Sequence, residues 1–384
     1  MNGLNERRIV ILGKTGAGKS SLANTIFGEK LFKTDDTLNS GTKKCRAKTT
    51  SVMGRSMTLI DTPGFFDTKR SEEALKEEIV RCITECSPGP HAFLIVLKVE
   101  KFTKHEEDVI NTIRNHFSEE VFKYATVVFT HGNQLPEGKT IQDFVRQNES
   151  MRDLVTKCGD RCHVIDNKYW KEKPKHEYRS NQFQVEELLR TIDNMVMENK
   201  GRCYTNEVLQ AVDEEIQQEE EKIRQLSGNM TEKEIRKKAK ISIFNRLLIR
   251  LAGVGTGILV GAFFGVVEMV GLVVTALSDS SQPVQLRQAI SKTVKAGGGV
   301  AVGLIAGVAA GGAAAAVPAV VVPVAAAAGA VRGGVEGYRA AEGADTPKEA
   351  AKRAAEAVRN KTQSDLNKAN DAFNRLSVSN QPDV

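Results

Sequence analysis

Eight consecutive residues, Gly13, Lys14, Thr15, Gly16, Ala17, Gly18, Lys19 and Ser20, have the types and spacing needed to hold a chain of phosphates. They satisfy the pattern GxxxxGK[ST] at every position. Glycines in such a loop let successive main-chain N–H groups turn inward around phosphate oxygens. Lys19 then brings an ammonium to the β- and γ-phosphates, and the Ser20 hydroxyl is placed to ligate Mg²⁺. An apolar run ends at Leu12 and a helical pattern opens at Ser20, continuing through Ser21. The loop therefore joins a strand to a helix, whose N-terminus adds positive potential for an anion.

A second group follows a later apolar run: Asp61-Thr62-Pro63-Gly64. At this distance after a phosphate loop, Asp61 is expected to hold Mg²⁺ through water and the Gly64 N–H to sense the γ-phosphate. This pattern points to GTP-type switching rather than ATP chemistry, so a base-reading segment is expected after another strand. Thr130, His131, Gly132 and Asn133 occupy that place. Most GTPases end this segment in Asp, whose carboxylate accepts both guanine N1–H and the N2 amine. Asn133 offers one acceptor and one donor, so one pairing with guanine is weakened or mismatched. Base choice relaxed toward xanthine stays open at this stage. His131 is placed to stack on the base.

These loops need elements to carry them. Arg8–Leu12, Met57–Ile60, Ala92–Leu97, Ala125–Phe129 and His163–Ile165 read as buried strands, with helices expected over Ser20–Phe27, Glu72–Cys86, Lys104–Phe117, Thr140–Cys158 and Gln184–Glu198. Strands alternating with helices predict an α/β P-loop NTPase fold, a mostly parallel sheet with helices on both faces. This domain is expected to span residues 7–200. Residues 201–250 change character, with acids crowding the first half and bases the second, and read as a charged helical extension.

Residues 251–335 are Gly/Ala-rich. Leu251–Leu277 carries one charge, Glu268, and Ala296–Val331 carries none. About 18 near-apolar residues suffice for a bilayer-spanning helix. Glycines recur every fourth residue at Gly253, Gly257, Gly261 and Gly265, and again at Gly299, Gly303, Gly307 and Gly311, a spacing that lets helix backbones approach closely. A helical hairpin associated with membrane is the expectation, with a water-soluble helical layer or a low-complexity tract as alternatives. Residues 336–384 read as a polar helical tail.

The chain has 384 residues, enough for more than one unit, and 41% hydrophobic residues, enough for a core. A formal net charge of +6 is too mild to make nucleic acid the expected partner and suits weak attraction to acidic lipid headgroups. The opening residues lack the apolar run of a secretory signal, and residue 2 is Asn, so the myristoylation pattern is absent. The six cysteines are therefore expected to be free thiols in the cytosol or on the cytosolic face of an intracellular membrane.

The combined motifs resemble the GIMAP family, the GTPases of immunity-associated proteins. The carrying residues are the phosphate loop, Ser40-Gly-Thr-Lys-Lys-Cys45, Asp61–Gly64 and Ser87-Pro-Gly-Pro-His-Ala92 with Lys101-Phe-Thr103. The likeness covers roughly the first half and does not extend to the Gly/Ala-rich part. It implies a Ras-like G domain binding GTP or GDP with Mg²⁺, with Thr42 as the switch threonine that senses the γ-phosphate and Mg²⁺. It also implies Thr34 near the nucleotide, Asn167 completing the base pocket, and homodimers formed through the nucleotide face. Two positions depart from common patterns. Phe65 stands where many GTPases have a water-orienting Gln, which implies slow hydrolysis. Lys101 stands where relatives often carry an Arg able to act across a dimer, and a lysine lacks that planar fork. The resulting expectation is a membrane-associated GTP switch with slow or dimer-dependent hydrolysis. The alternatives are a nucleotide-gated scaffold that scarcely hydrolyses GTP, and a membrane-inserting or remodelling protein.

Overall fold

Runs of β-branched and aliphatic residues that alternate with helical stretches bury themselves most completely as parallel strands covered on both faces. In the computed structural model, which describes residues 6–34, 44–64, 71–101, 104–171, 174, 177–226 and 229–278, these runs become β1 (Glu6–Leu12), β3 (Arg55–Asp61), β4 (Ala92–Lys98), β5 (Ala125–Thr130) and β6 (Cys162–Val164). A further strand, β2 (Arg46–Val52), is absent from the sequence expectation. Its residues are mostly polar and exposed, as an edge strand allows. It pairs antiparallel to β3 across a turn at Met53 and Gly54, both at positive φ, as tight hairpins require.

The six strands form one sheet in the order β2-β3-β1-β4-β5-β6, and every pairing except β2·β3 is parallel. β1 lies centrally, with Ile11 opposite both Asp61 and Leu94. The connection after β1 leads to β2 and β3 on one side, and the connection after β3 crosses to β4 on the other, so the C-terminal end of β1 is a topological switch point, where open α/β sheets bind ligands.

The helices of this unit are α1 (Lys19–Phe27), α2 (Glu72–Cys86), α3 (Lys104–His116), α4 (Glu119–Phe122), α5 (Ile141–Val145), α6 (Glu149–Lys157) and α7 (Asn181–Glu198). The single helix expected over Thr140–Cys158 is two. Thr140 and Asp143 form a capping box on α5, and the Asn148 side chain accepts from Met151 N to start α6, so capping wins over continuation.

Downstream come α8 (Glu207–Leu226), α9 (Glu232–Arg250), α10 (Thr256–Phe263) and α11 (Val267–Ser278). The chain divides into two compact units. One holds the described residues up to Ile243 together with Val260–Val270; the other holds Phe244–Leu259 and the described residues from Gly271. In the second unit, Leu247, Leu251, Leu259 and Val273 are buried.

The continuous helix expected over Leu251–Leu277 is corrected by the structure. Leu251–Val254 form turns, and α10 and α11 meet at 108° where Gly265 adopts φ +76. Among the described residues no single helix is long and apolar enough to cross a membrane, although this bent pair qualifies by length and composition. The second apolar stretch, Ala296–Val331, and the 336–384 tail lie outside the described residues.

Within the first unit, Phe263 and Phe264 are fully buried. Phe264 stacks on Phe117 at 4.2 Å and packs edge-on against Phe93 of β4 at 5.9 Å; Phe263 meets Phe93 at 6.1 Å. Hydrogen bonds to its carbonyls fix the segment: Ser118 N donates to Phe264 O (3.0 Å) and the Asn206 side chain, through Nδ2, to Ala262 O (2.9 Å).

The Ser87–Ala92 stretch turns out to be a junction for the helical extension. Ser87 Oγ donates to Asp213 of α8, while Arg236 of α9 donates to Ser87 O (3.3 Å) and pairs with Glu220 (2.8 Å). Tyr204 N donates to Pro90 O at 2.8 Å. A Cβ at Gly89 would sit 1.8 Å from the Tyr204 carbonyl oxygen, so only glycine fits. Arg8 Nε donates to Gly89 O (2.9 Å), and Arg8 N donates to His91 Nδ1 (3.0 Å). Burial, then Arg8 and Arg7, depress the His91 imidazole to about 3, so it is neutral at pH 7.

Candidate nucleotide-binding site

The phosphate loop leaves β1 beside β4. Gly13 has φ +150, and a Cβ there would lie 2.5 Å from Val96 O, so the loop can follow this path only with glycine. Gly16 and Gly18 are also left-handed, and α1 begins at Lys19. Lys19 is 5% exposed and donates to Gly13 O (3.0 Å) and Lys14 O (2.9 Å). These two carbonyl acceptors hold the ammonium beneath the loop, at the level where the loop's amides would meet an anion.

Ser20 and Asp61 meet although they come from different strand ends. Ser20 Oγ donates to Asp61 Oδ2 at 2.6 Å, and Asp61 is 1% exposed. The neighbouring Thr62 hydroxyl donates to Ile11 O (2.6 Å), which ties the end of β3 to β1. One hydroxyl and one carboxylate oxygen brought this close are hard oxygen donors of the kind Mg²⁺ takes alongside phosphate oxygens. The residues present therefore fit that ion.

A cavity of about 1230 Å³ opens from this loop along α1 to the loops after β5 and β6. Thr15, Gly16, Gly18, Lys19, Ser20 and Ser21 line its phosphate end, with Thr34 and Gly64 also on the wall. His131, Asn133 and Asn167 line the other end. Residues nominated separately along the sequence thus share one wall. Ala17 is buried; its carbonyl accepts from Thr130 Oγ1 at 2.8 Å, linking the phosphate loop to the base-reading segment. Asn167 Oδ1 accepts from Thr25 Oγ1 (3.0 Å) and its Nδ2 donates to Gly18 O (3.4 Å). Gly132 is buried against the indole of Trp170.

Other nominated residues sit differently. The Lys14 ammonium turns from the cavity to Glu100 (2.9 Å) and Glu106. Burial pulls its pKa down, but the hydrogen bonds it donates to Glu106 and Glu100 raise it above the ordinary lysine value. Lys101 is exposed and is not on the cavity wall. Thr42 and Phe65 lie outside the described residues.

The sequence reading passed over Asp166 as a functional group. It is 2% exposed; Oδ2 accepts from Asn133 N (2.9 Å), and Oδ1 accepts from Lys168 N (2.9 Å) and Tyr169 N (2.5 Å). One carboxylate therefore braces both base-side loops. Lys168, Tyr169 and Lys171 also line the cavity, with the Lys168 ammonium 5.0 Å from the Tyr169 ring. The chain's one tryptophan, Trp170, was the available signal for this loop.

All six cysteines are free. Burial pushes Cys158 up to about 12 and Cys162 to about 11, so both stay protonated and act as small apolar side chains. Among the described residues no group of three or more His, Cys, Asp or Glu side chains is placed to hold a metal ion by themselves.

Comparison with known proteins agrees with this geometry. Residues 7–225 match the model of the AIG1 family. The chain is similar to immune-associated nucleotide-binding protein 8 of Arabidopsis thaliana, at 35% identity over 212 residues, covering 54% of this chain and 58% of that protein. It is also similar to immune-associated nucleotide-binding protein 7 of the same plant, at 32% identity over 246 residues, covering 63% of this chain and 76% of that one. Among solved structures, Toc33 of Arabidopsis thaliana in complex with GDP and Mg²⁺ is 18% identical with a TM-score of 0.39, covering 50% of this chain and 85% of that chain.

Proposed function

This chain belongs to the AIG1 family and carries its GTP-binding G domain, and from that premise we propose a guanine-nucleotide switch that hydrolyses GTP slowly alone and faster when two copies meet through their nucleotide faces. One observation carries the reading: Lys19 and the Ser20–Asp61 pair converge beneath a glycine loop at the sheet's switch point. Relatives of this chain bear names that describe them as nucleotide-binding.

The chemistry would be in-line attack of water on the γ-phosphorus with GDP as leaving group. Main-chain N–H groups of the loop would orient the phosphates, and the Lys19 ammonium would balance charge on the β- and γ-oxygens. Mg²⁺, held by Ser20 and Asp61, would neutralise phosphate charge. Among the described residues no arginine lines the cavity, which favours slow hydrolysis by the isolated chain and a cation donated by a second copy. Multiple-turnover GTP hydrolysis across a protein concentration series tests this: the rate per molecule should rise with concentration, and a flat profile would exclude activation by pairing. A protein purified with GTP rather than GDP bound would favour a nucleotide-gated scaffold instead.

Association with the cytosolic face of an intracellular membrane belongs to the same proposal. Its support is the bent apolar pair Thr256–Phe263 and Val267–Leu277, with Val267 79% exposed. Flotation of the full chain with anionic liposomes is expected; recovery in the soluble fraction alone would remove this part of the reading.

A further inference from the structure

We infer that the base pocket accepts xanthine nucleotides at least as well as guanine nucleotides, because the amide of Asn133 stands at the base-reading position and, among the described residues, no carboxylate is placed to replace it. The inference rests on the nucleotide site proposed above and specifies the base that site takes.

The argument starts from hydrogen-bond complementarity. Guanine presents two adjacent donors on this edge, N1–H and the N2 amine. Xanthine presents the N1–H donor beside the O2 acceptor, and hypoxanthine presents N1–H beside a bare C–H. A carboxylate is acceptor-only, whereas a carboxamide has one acceptor and one donor face. Asn133 can therefore satisfy N1–H and O2 of xanthine together. Against guanine, its Nδ2 donor faces the N2 donor, and the two cannot pair with each other.

The structure then bears on whether another acid supplies what Asn133 lacks. Two acidic side chains line the cavity among the described residues, Asp166 and Glu29. Both oxygens of Asp166 are committed to main-chain donors, those of Asn133, Lys168 and Tyr169. Turning it to the base would unpair three amides in a side chain that is 2% exposed. Glu29 lies beyond the C-terminal end of α1 and accepts from the Thr50 hydroxyl at 3.2 Å. Asn167 is occupied by Thr25 and Gly18. Asn133 itself is exposed on the cavity wall, and its carboxamide has no hydrogen-bond partner among the described residues. Its main chain is meanwhile anchored by Asp166, with the preceding Gly132 packed under Trp170. The loop is fixed and the amide is available.

The test is calorimetric titration of the full chain with GTP, ITP, XTP and ATP, each with Mg²⁺. XTP should bind no more weakly than GTP, and Asn133→Asp should shift the GTP:XTP affinity ratio toward GTP by about 10–100-fold, the worth of a hydrogen bond to a charged acceptor. A wild-type preference for GTP over XTP of about tenfold or more overturns the inference while leaving the proposed function standing, as does an Asn133→Asp ratio that stays put. Failure of every nucleotide to bind, or tightest binding of ATP, removes the proposed function and this inference with it. Should Asn133→Asp not fold, Asn133→Ala serves: XTP affinity should fall to that of ITP, and unchanged XTP affinity again overturns the inference.

Discussion

A lysine that is 5% exposed has to direct its ammonium at protein acceptors, and the Gly13 and Lys14 carbonyl oxygens are two that Lys19 reaches. Phosphate oxygens offer the same ammonium a charged partner, which is stronger than a neutral carbonyl. Lys19→Ala is expected to abolish GTP binding in calorimetry while a melting scan still shows a folded protein; retained affinity would refute the site. Lys14 tests the opposite geometry. Its ammonium pairs with Glu100 and with the buried Glu106, so Lys14→Ala should lower stability by about 1–3 kcal/mol in urea titration, through loss of a partly buried countercharge. His91 gives a pH dependence with a definite sign. Its folded value of about 3 lies below the free imidazole range near 6.5, so the unfolded chain binds more protons between those values and stability falls as pH drops through that window. Above about 6.5 the group contributes no slope. Urea midpoints measured from pH 7 to 4 should fall less steeply for His91→Asn, whose amide oxygen can accept from Arg8 N as Nδ1 does; equal slopes would show that His91 is not responsible.

At the scale of elements, the phosphate loop, Asp61 and the strands that carry them were legible because each signal is local: a spacing, or a short apolar run ending in a glycine turn. The edge strand β2 was not, since half-exposed polar residues take their conformation from β3 rather than from any pattern of their own. The bend at Gly265 was hidden for a related reason. Hydropathy sees one apolar run, but the partners of Phe263 and Phe264 are Phe93 and Phe117, far away in sequence. Asp166 escaped because the groups it accepts from, the Asn133, Lys168 and Tyr169 amides, are main-chain donors that leave no mark in the sequence, and only the fold brings Asn133 to it. Phe264→Ala deletes a fully buried ring and should cost about 3–5 kcal/mol by urea titration, with loss of near-ultraviolet dichroism around the cavity. A change below about 1 kcal/mol would mean the site repacks.

For the molecule as a whole, the family match ends at residue 225, yet the unit that contains the sheet also includes residues up to Ile243 and Val260–Val270. A protein cut at residue 225 should therefore expose Phe93, Phe117 and Tyr204, bind a hydrophobic dye and aggregate, whereas one ending at 278 should do neither; dye fluorescence on the two proteins decides. The strand β4 gives this arrangement a further meaning. Near one end Val96 O abuts Gly13 of the phosphate loop, and three residues back Phe93 abuts Phe263 and Phe264. Three residues of strand span only about 10 Å, and an extended backbone in mid-sheet behaves as a stiff rod. A triphosphate gripping one end and an aromatic plug seated at the other would then share a single lever: whatever tightens the grip damps the plug, and by reciprocity whatever draws out the plug weakens the grip. Slower amide exchange at residues 262–266 on adding nucleotide would register that lever, and identical exchange with and without nucleotide would show the two ends to be independent.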